Sequence, residues 1–210
     1  MTTDFLETRL RTESKFLRGE LGAELTRKGI HLLIALVPFF AALSRSNTAL
    51  LLMGGIIFYT WAESMRFLGF SPPIISSVTA AVLRRREQGR FALGPITLGL
   101  GALLALLFFP PAAAAAAIYA IAFGDSASSL VGGFLGRLRP AFMSGKSLEG
   151  SLACLAAAFL AGFLVFHNWK TALAVGVASL LVDILPLEDF DNLIMPLAAG
   201  LAALVFQTLQ

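Results

Sequence analysis

Charge is what this chain has least of. Only 14% of its 210 residues are Asp, Glu, Lys or Arg, against 57% hydrophobic, and the mean hydropathy is +0.81. A soluble domain carries roughly a quarter of its residues as charges, so the composition argues against a soluble class. Cysteine is nearly absent too. Cys154 alone allows no intrachain disulfide, and its place inside an apolar block suits a small buried hydrophobe. The apolar blocks lack alternation with period two, which argues against a transmembrane barrel. No apolar run lies close to Met1. The first begins near residue 29, behind a charged segment, so no cleavable signal peptide is expected.

What is there is a series of long apolar blocks, the mark of an all-α polytopic membrane protein. A spanning helix takes about 20 residues. Seven spans are expected at 29–44, 48–67, 92–109, 112–135, 151–167, 171–186 and 193–209. The turn between the third and fourth is only Pro110-Pro111, so that pair forms a tight hairpin. Basic residues alternate between the connecting segments. Fourteen fall on one side, among them Arg27, Lys28, Arg66, Arg84 to Arg86 and Lys146, and two, Arg45 and Lys170, on the other. The positive-inside rule then puts the N-terminus in the cytoplasm and the C-terminus outside. Residues 1–28 mix both charges with Phe5, Leu10, Phe16 and Leu21, a spacing suited to an amphipathic helix at the inner interface. Residues 29–210 form the transmembrane domain.

Ionisable groups within spans are costly and point to function. Four clusters stand out, all toward the expected cytoplasmic side. In ELTRKGIH, Glu24, Arg27, Lys28 and His31 share one helix face. Arg27 and Lys28 taken alone read as interfacial side chains that reach for water, whereas His31 sits a turn inside the apolar block. In WAESMRFLG, Glu63 and Arg66 are three apart; they either neutralise each other or position something else. In FGDSASSLVGGFLG, Asp125 lies inside a span with no cation adjacent in sequence, so it needs a proton, a partner or a metal. Gly124 and Ser126 flank it and allow the helix to break, while Ser128, Gly132 and Gly136 write a close-packed face.

The fourth cluster joins GKSLEGS, residues 145–151, to DILPLEDFDNLIMPL. The first segment ends like a Walker A loop, but the glycine that motif needs at 140 is Pro140, and no strand precedes it. Gly145, Lys146, Ser147 and Gly150 still offer a cation and backbone N–H groups to phosphate oxygens, and Ser151 is a candidate start for the fifth helix. The second segment brings Asp183, Glu188, Asp189, Asp191 and Asn192 to the same side. An acidic loop among basic ones suits a divalent cation. Cations for phosphates and carboxylates for a hard metal are the parts of phosphoryl transfer.

At these residues the chain resembles the CTP-dependent lipid-alcohol kinases: dolichol kinase, phytol kinase and the yeast-type CTP-dependent diacylglycerol kinase. The resemblance rests on Arg27-Lys28-x-x-His31, Glu63-x-x-Arg66, Gly124-Asp125-x-Ala127-Ser128, Lys146-Ser147-x-Glu149-Gly150-Ser151 and Asp191-Asn192-Leu193 with Pro196, in that order. The chain departs from the family pattern in carrying Asp183 where relatives have glutamate, and it lacks the extra spans of dolichol kinases.

The resemblance implies transfer of the γ-phosphate of CTP to the hydroxyl of a membrane lipid alcohol (diacylglycerol, a phytol-like alcohol or a polyprenol) with Mg²⁺. It implies catalytic roles for Asp125, Asp191, Asn192, His31 and Asp183, with Asp125 and Asp191 toward the metal and either His31 or Asp183 assisting proton removal. Phosphate contacts would come from Arg27, Lys28, Gly145, Lys146, Ser147, Glu149 and Gly150; Glu63, Arg66 and Ser128 would position them. The expected setting is the cytoplasmic membrane, with the site facing the cytoplasm, CTP and lipid as partners and no nucleic acid. One rival is a CTP:phosphatidate cytidylyltransferase, but its C-terminal Pro-Gly-His-Gly-Gly signature is missing. The other is a small ion-coupled transporter, for which no inverted repeat is found.

Overall fold

The computed structural model describes residue 22 and residues 24–70, 91–143 and 145–209. The expected amphipathic segment over 1–28 therefore lies almost wholly outside the described residues, as do Arg84, Arg85, Arg86 and Arg90. Among the described residues there is no strand. Seven long helices occupy the seven expected segments: α1 Glu24–Leu43, α2 Arg45–Phe67, α3 Gly94–Phe108, α4 Pro111–Phe134, α5 Leu148–Phe166, α6 Trp169–Ile184 and α7 Asp191–Thr208. Five of them (α1, α2, α4, α5 and α7 with the 3₁₀ turn Glu188–Phe190 before it) are long and apolar enough to cross a bilayer. Helices α3 and α6 have only 15 and 16 residues. Large apolar side chains face outward, including Leu51 at 75% exposure and Leu164 at 72%. Such a surface is foreign to water and suited to lipid; the chain is a helical membrane protein.

Local chemistry sets the breaks. Pro38 lacks an N–H and its ring crowds the carbonyl of residue 34, and α1 tightens to a 3₁₀ turn over Ile34–Leu36 there. Pro111 opens α4 at its first position, where no N–H is missed. Between α5 and α6 the reversal takes two residues. His167 closes α5 in the left-handed conformation, φ 51°, and Asn168 caps α6, its Oδ1 accepting from the N–H groups of Lys170 and Thr171.

The chain divides into two units, one of residues 31–61 and 93–210 and the other of 1–30 and 62–92. The larger unit is layered along its helices. At one end the core is built of small and medium apolar residues: Ala102 and Ala105 of α3, Ala113 and Ile118 of α4, Ala158 of α5, Val175 of α6, Ala199 and Ala203 of α7. A thinner layer follows, with Leu98, Ile121, Cys154, Val182 and Met195. Beyond it, at the other end, the same helices bury Thr97, Asp125, Ser128, Ser151, Asp183, Asp191 and Asn192. The buried aspartates of α4, α6 and α7 all lie at this second end. Arg45 closes the apolar end by donating to the carbonyls of Leu106 and Phe109, which the C-terminus of α3 leaves without helical partners. This gives the isolated Arg45 a structural reason and puts it beside the Pro110-Pro111 turn, as the alternation of charges requires.

Close approach is obtained with glycine. A Cβ on Gly176 of α6 would sit 3.0 Å from the Leu155 carbonyl oxygen of α5. Pro196 deprives the Asn192 carbonyl of its helical N–H, and a Cβ on Gly101 of α3 would collide with that oxygen. In the smaller unit, Glu63 is fully buried. It accepts from Arg66 Nε at 2.7 Å and Nη2 at 2.6 Å and from the backbone N–H of Ala92 at 2.7 Å. The pair does neutralise itself, and it also fastens the chain where residue 92 returns. Arg27 of the same unit pairs with Glu24 at 2.9 Å, and Lys28 is buried.

Candidate functional site

The polar end of the larger unit gathers most of the residues singled out in the sequence. Asp125 ends a π-helical stretch, Ala120–Asp125, set into α4. The expected helix break is thus a widening: bonds run i to i+5 and the helix continues as Ser126–Phe134. Asp125 is buried, and its Oδ2 lies 3.1 Å from Nδ1 of His31, also buried. This histidine, from a helix far away in sequence, stands at ion-pair distance from Asp125, but its Nδ1 makes no hydrogen bond.

One helical turn on, Ser128 donates to Asp183 Oδ2 at 3.1 Å, and Ser151 donates to the same oxygen at 2.7 Å. The other oxygen, Oδ1, takes Lys146 Nζ at 3.2 Å. Asp183 thus ties α4, α5, α6 and the GKSLEGS loop together, and both of its oxygens are engaged. Lys146 also donates to Asp191 Oδ2 at 3.3 Å. Burial by itself would lower the lysine's pKa, but the carboxylates of Asp183, Asp191 and Asp125 outweigh it and hold the ammonium above its ordinary range. Three aspartates from three helices therefore act on one cation.

The loop is built to present that lysine. Gly145 has φ +87°, a conformation that side-chain-bearing residues rarely adopt. Ser147, rather than Ser151, caps α5, its Oγ accepting from the Gly150 N–H at 3.1 Å. Glu149 faces away from the aspartates; its carboxylate accepts from the backbone N–H groups of Arg137 and Leu138 at 3.1 Å each. Gly150 is there for packing, since a Cβ would stand 2.6 Å from the Ser128 carbonyl oxygen. Gly132 and Gly136 are likewise closed by Ser147. Arg139, not singled out in the sequence, donates to the carbonyls of Gly132 and Gly145 and pins the loop to the end of α4. Its only sequence signal was a basic residue just past a helix C-terminus.

Asn192, in the first turn of α7, donates from Nδ2 toward the Gly94 carbonyl and Thr97 Oγ1 of α3, both at 3.4 Å. Its neighbour Asp191 faces Lys146, so the Asp-Asn pair links α3 to the lysine. Arg27, Lys28, Glu63 and Arg66 belong to the other unit.

No family model, curated protein or solved structure matches this chain. The site must be judged on its own chemistry. Among the described residues no three His, Cys, Asp or Glu side chains gather closely enough to cage a metal ion. A Mg²⁺ that arrives with phosphates does not need such a cage; it takes one or two carboxylates and keeps several waters. Asp125 and Asp191 are hard oxygen donors beside Lys146 and fit that lesser demand. Asp183, with its hydroxyl and ammonium partners, does not.

Proposed function

We propose that the chain is a membrane kinase that transfers the γ-phosphate of CTP to the hydroxyl of a lipid alcohol. The observation that carries this reading is Lys146, presented by a glycine loop and held between Asp183 and Asp191 with Asp125 in its field. A cation so placed, with carboxylates suited to a metal–phosphate complex, is the equipment of phosphoryl transfer, which depends on positioning and charge stabilisation. The choice of CTP rests on the resemblance of the motifs to the lipid-alcohol kinases.

In this reading Lys146 neutralises and orients the phosphates, while the backbone N–H groups of Lys146, Leu148 and Gly150 are taken up within the fold. Asp125 and Asp191 would hold Mg²⁺, which would supply further charge neutralisation. Asp183 positions Lys146, its oxygens accepting from Ser128, Ser151 and Lys146. His31, at ion-pair distance from Asp125, receives the hydroxyl proton. The lipid oxygen bonds to the γ-phosphorus as the bond to the β–γ bridging oxygen breaks, and CDP leaves.

The proposed topology has seven crossings, N-terminus cytoplasmic and C-terminus outside. Fourteen basic residues against two support it. Helices α3 and α6 span only about 22–24 Å at 1.5 Å per residue, short of a ~30 Å hydrocarbon core. Each has one end at the polar cluster: α3 begins at Gly94, and α6 ends at Ile184, next to Asp183. In this topology the polar side chains at that end shorten the apolar distance that the two helices must cover.

The test is purified protein in nanodiscs with mixed lipid alcohols, Mg²⁺ and γ-³²P-CTP, with Asp125→Asn as control. Label entering lipid, and lost in the variant, is expected. Label entering lipid only from α-³²P-CTP would replace the kinase by a cytidylyltransferase, and no label from either would overturn both.

A further inference from the structure

At the Lys146 end, the connection between α4 and α5 leaves its largest apolar side chains outside. Phe134, Leu135, Leu138 and Phe142 are 59–71% exposed. The backbone that carries them is fixed at several points. The N–H of Leu148 donates to the Leu138 carbonyl and that of Lys146 to the Met143 carbonyl, both at 2.9 Å. Arg139 bonds to Gly132 and Gly145, and Met143 is buried under the 3₁₀ turn Ala141–Met143. Four such side chains are not left to water without a reason. Their level along α4 says what covers them. Ser128, bonded to Asp183, and Phe134 belong to one α-helical stretch, Ser126–Phe134, so Phe134 lies about 9 Å beyond the aspartate network at 1.5 Å per residue. With its 24 residues, α4 is about 36 Å long, which carries its end past a ~30 Å hydrocarbon core to where acyl chains give way to headgroups.

Charge separates this connection from its neighbour. Arg137 is exposed, and its guanidinium makes no hydrogen bond or ion pair with any described residue. The nearby acid, Glu149, has its carboxylate engaged by the backbone N–H groups of Arg137 and Leu138. The connection between α6 and α7, at the same end, also exposes Leu185 and Phe190, but beside an exposed Glu188 and with no basic residue. We infer that the α4–α5 connection is a docking surface for anionic phospholipid: Phe134, Leu135, Leu138 and Phe142 enter the acyl layer of the leaflet at the Lys146 end, and Arg137 takes a headgroup phosphate. A guanidinium presents a fork of donors that matches phosphate oxygens. Its stem lies along apolar surface while the charge stays among the headgroups, and a basic residue at a membrane surface favours anionic lipid. Gly145 and Lys146 end the same connection, so the docked lipid sets the level at which the lysine is presented. Neither Arg137 nor the four apolar side chains take part in the kinase reading, and the inference stands or falls apart from it.

The test is tryptophan fluorescence of the full chain in nanodiscs. Trp61 and Trp169, both exposed, are replaced by Phe, and Phe142→Trp supplies the reporter. Lipid brominated on its acyl chains is the membrane quencher, and acrylamide the aqueous one. Strong quenching by brominated lipid with little by acrylamide is expected. The reverse, or shielding from both as at an interface between two copies, would overturn the docking surface. Brominated phosphatidylglycerol, as a minority lipid in phosphatidylcholine, should quench at least twofold more than brominated phosphatidylcholine at the same share. Arg137→Gln should abolish this preference, and added inorganic phosphate should leave it unchanged. Equal quenching by the two lipids, a preference that survives Arg137→Gln, or its loss to free phosphate would overturn the assignment of Arg137 to an anionic headgroup. With Phe190→Trp as the reporter instead, beside Glu188, brominated lipid should quench without preference. An equal preference there would make it a property of the whole end and remove Arg137 as its source. The readout needs no turnover.

Discussion

The two ends of the larger unit are made by the same helices and obey different rules. At the Arg45 end, alanines and a few branched residues bring helices together by shape alone, because lipid tails offer no hydrophobic drive for helix association. At the Lys146 end, the same helices are joined by ionic and hydroxyl contacts, with Asp183 bonded to groups on three other segments. The difference teaches where function can be altered without loss of the fold. The apolar end tolerates exchange among residues of like volume. The polar end is a network, in which removal of one member leaves the others buried without a partner.

The sharpest break of this comparison is Lys146→Ala. Loss of one preorganised cation or donor typically costs about 100- to 1,000-fold in rate, and a loss of that order in phosphate transfer is expected while membrane insertion is unaffected. Transfer within a few-fold of the parent would remove Lys146 from the site. Next in size is Gly150→Val, which drives a side chain into the Ser128 carbonyl. It should move α5 away from α4, lower the thermal midpoint and reduce transfer together, since the contact serves both packing and network. Retention of either property would show that the α4–α5 contact at this end is looser than the geometry states.

At the apolar end, Ile118→Ala removes a fully buried side chain. It should cost about 2–5 kcal/mol of stability, the range of large-to-alanine changes in packed cores, with the KM for nucleotide unchanged below the new midpoint. A changed KM would mean that the ends are coupled. The smallest effect is that of pH. The folded-state pKa of Lys146 is raised, so the stability that this group adds is complete below its ordinary value of about 10.4 and is lost only as pH rises through the folded value. The difference in thermal midpoint between the parent and Lys146→Met should therefore be flat from about pH 6 to 9 and shrink only in strong alkali. A fall near neutrality would place the lysine outside the three-carboxylate field.

How much of this was legible beforehand follows the same division. The seven helices were readable because hydropathy over a window of span length is a local property, and each lies within a few residues of its expected place. That Asp125, Lys146, Asp183, Asp191 and Asn192 share one end was readable from the alternation of basic loops. Their pairing was not. His31 with Asp125, or Ser151 with Asp183, depends on which faces of distant helices meet, and no local pattern encodes that. The start of α5 at Ser147, not Ser151, was a matter of one turn, and either serine is an acceptable cap. Only the structure shows that Ser151 is needed elsewhere. The acidic stretch with Asp183, Glu188, Asp189 and Asp191 suggested a divalent cation; of these acids it is Asp183 and Asp191 that reach Lys146.

The π-helical stretch before Asp125 has a consequence for how this sequence can drift. A π turn takes up one residue more than an α turn, so α4 carries the geometry of an insertion already absorbed within Ala120–Asp125. A single-residue deletion inside a span ordinarily swings everything after it around the axis. Here a deletion among residues 120–124 has somewhere to go, because the surplus can be given up and the stretch can relax to an ordinary α-helix, keeping Ser128 turned toward Asp183. The same deletion at 113–117 has no such surplus to spend. Length variation along α4 should therefore be confined to the few residues that aim the carboxylate.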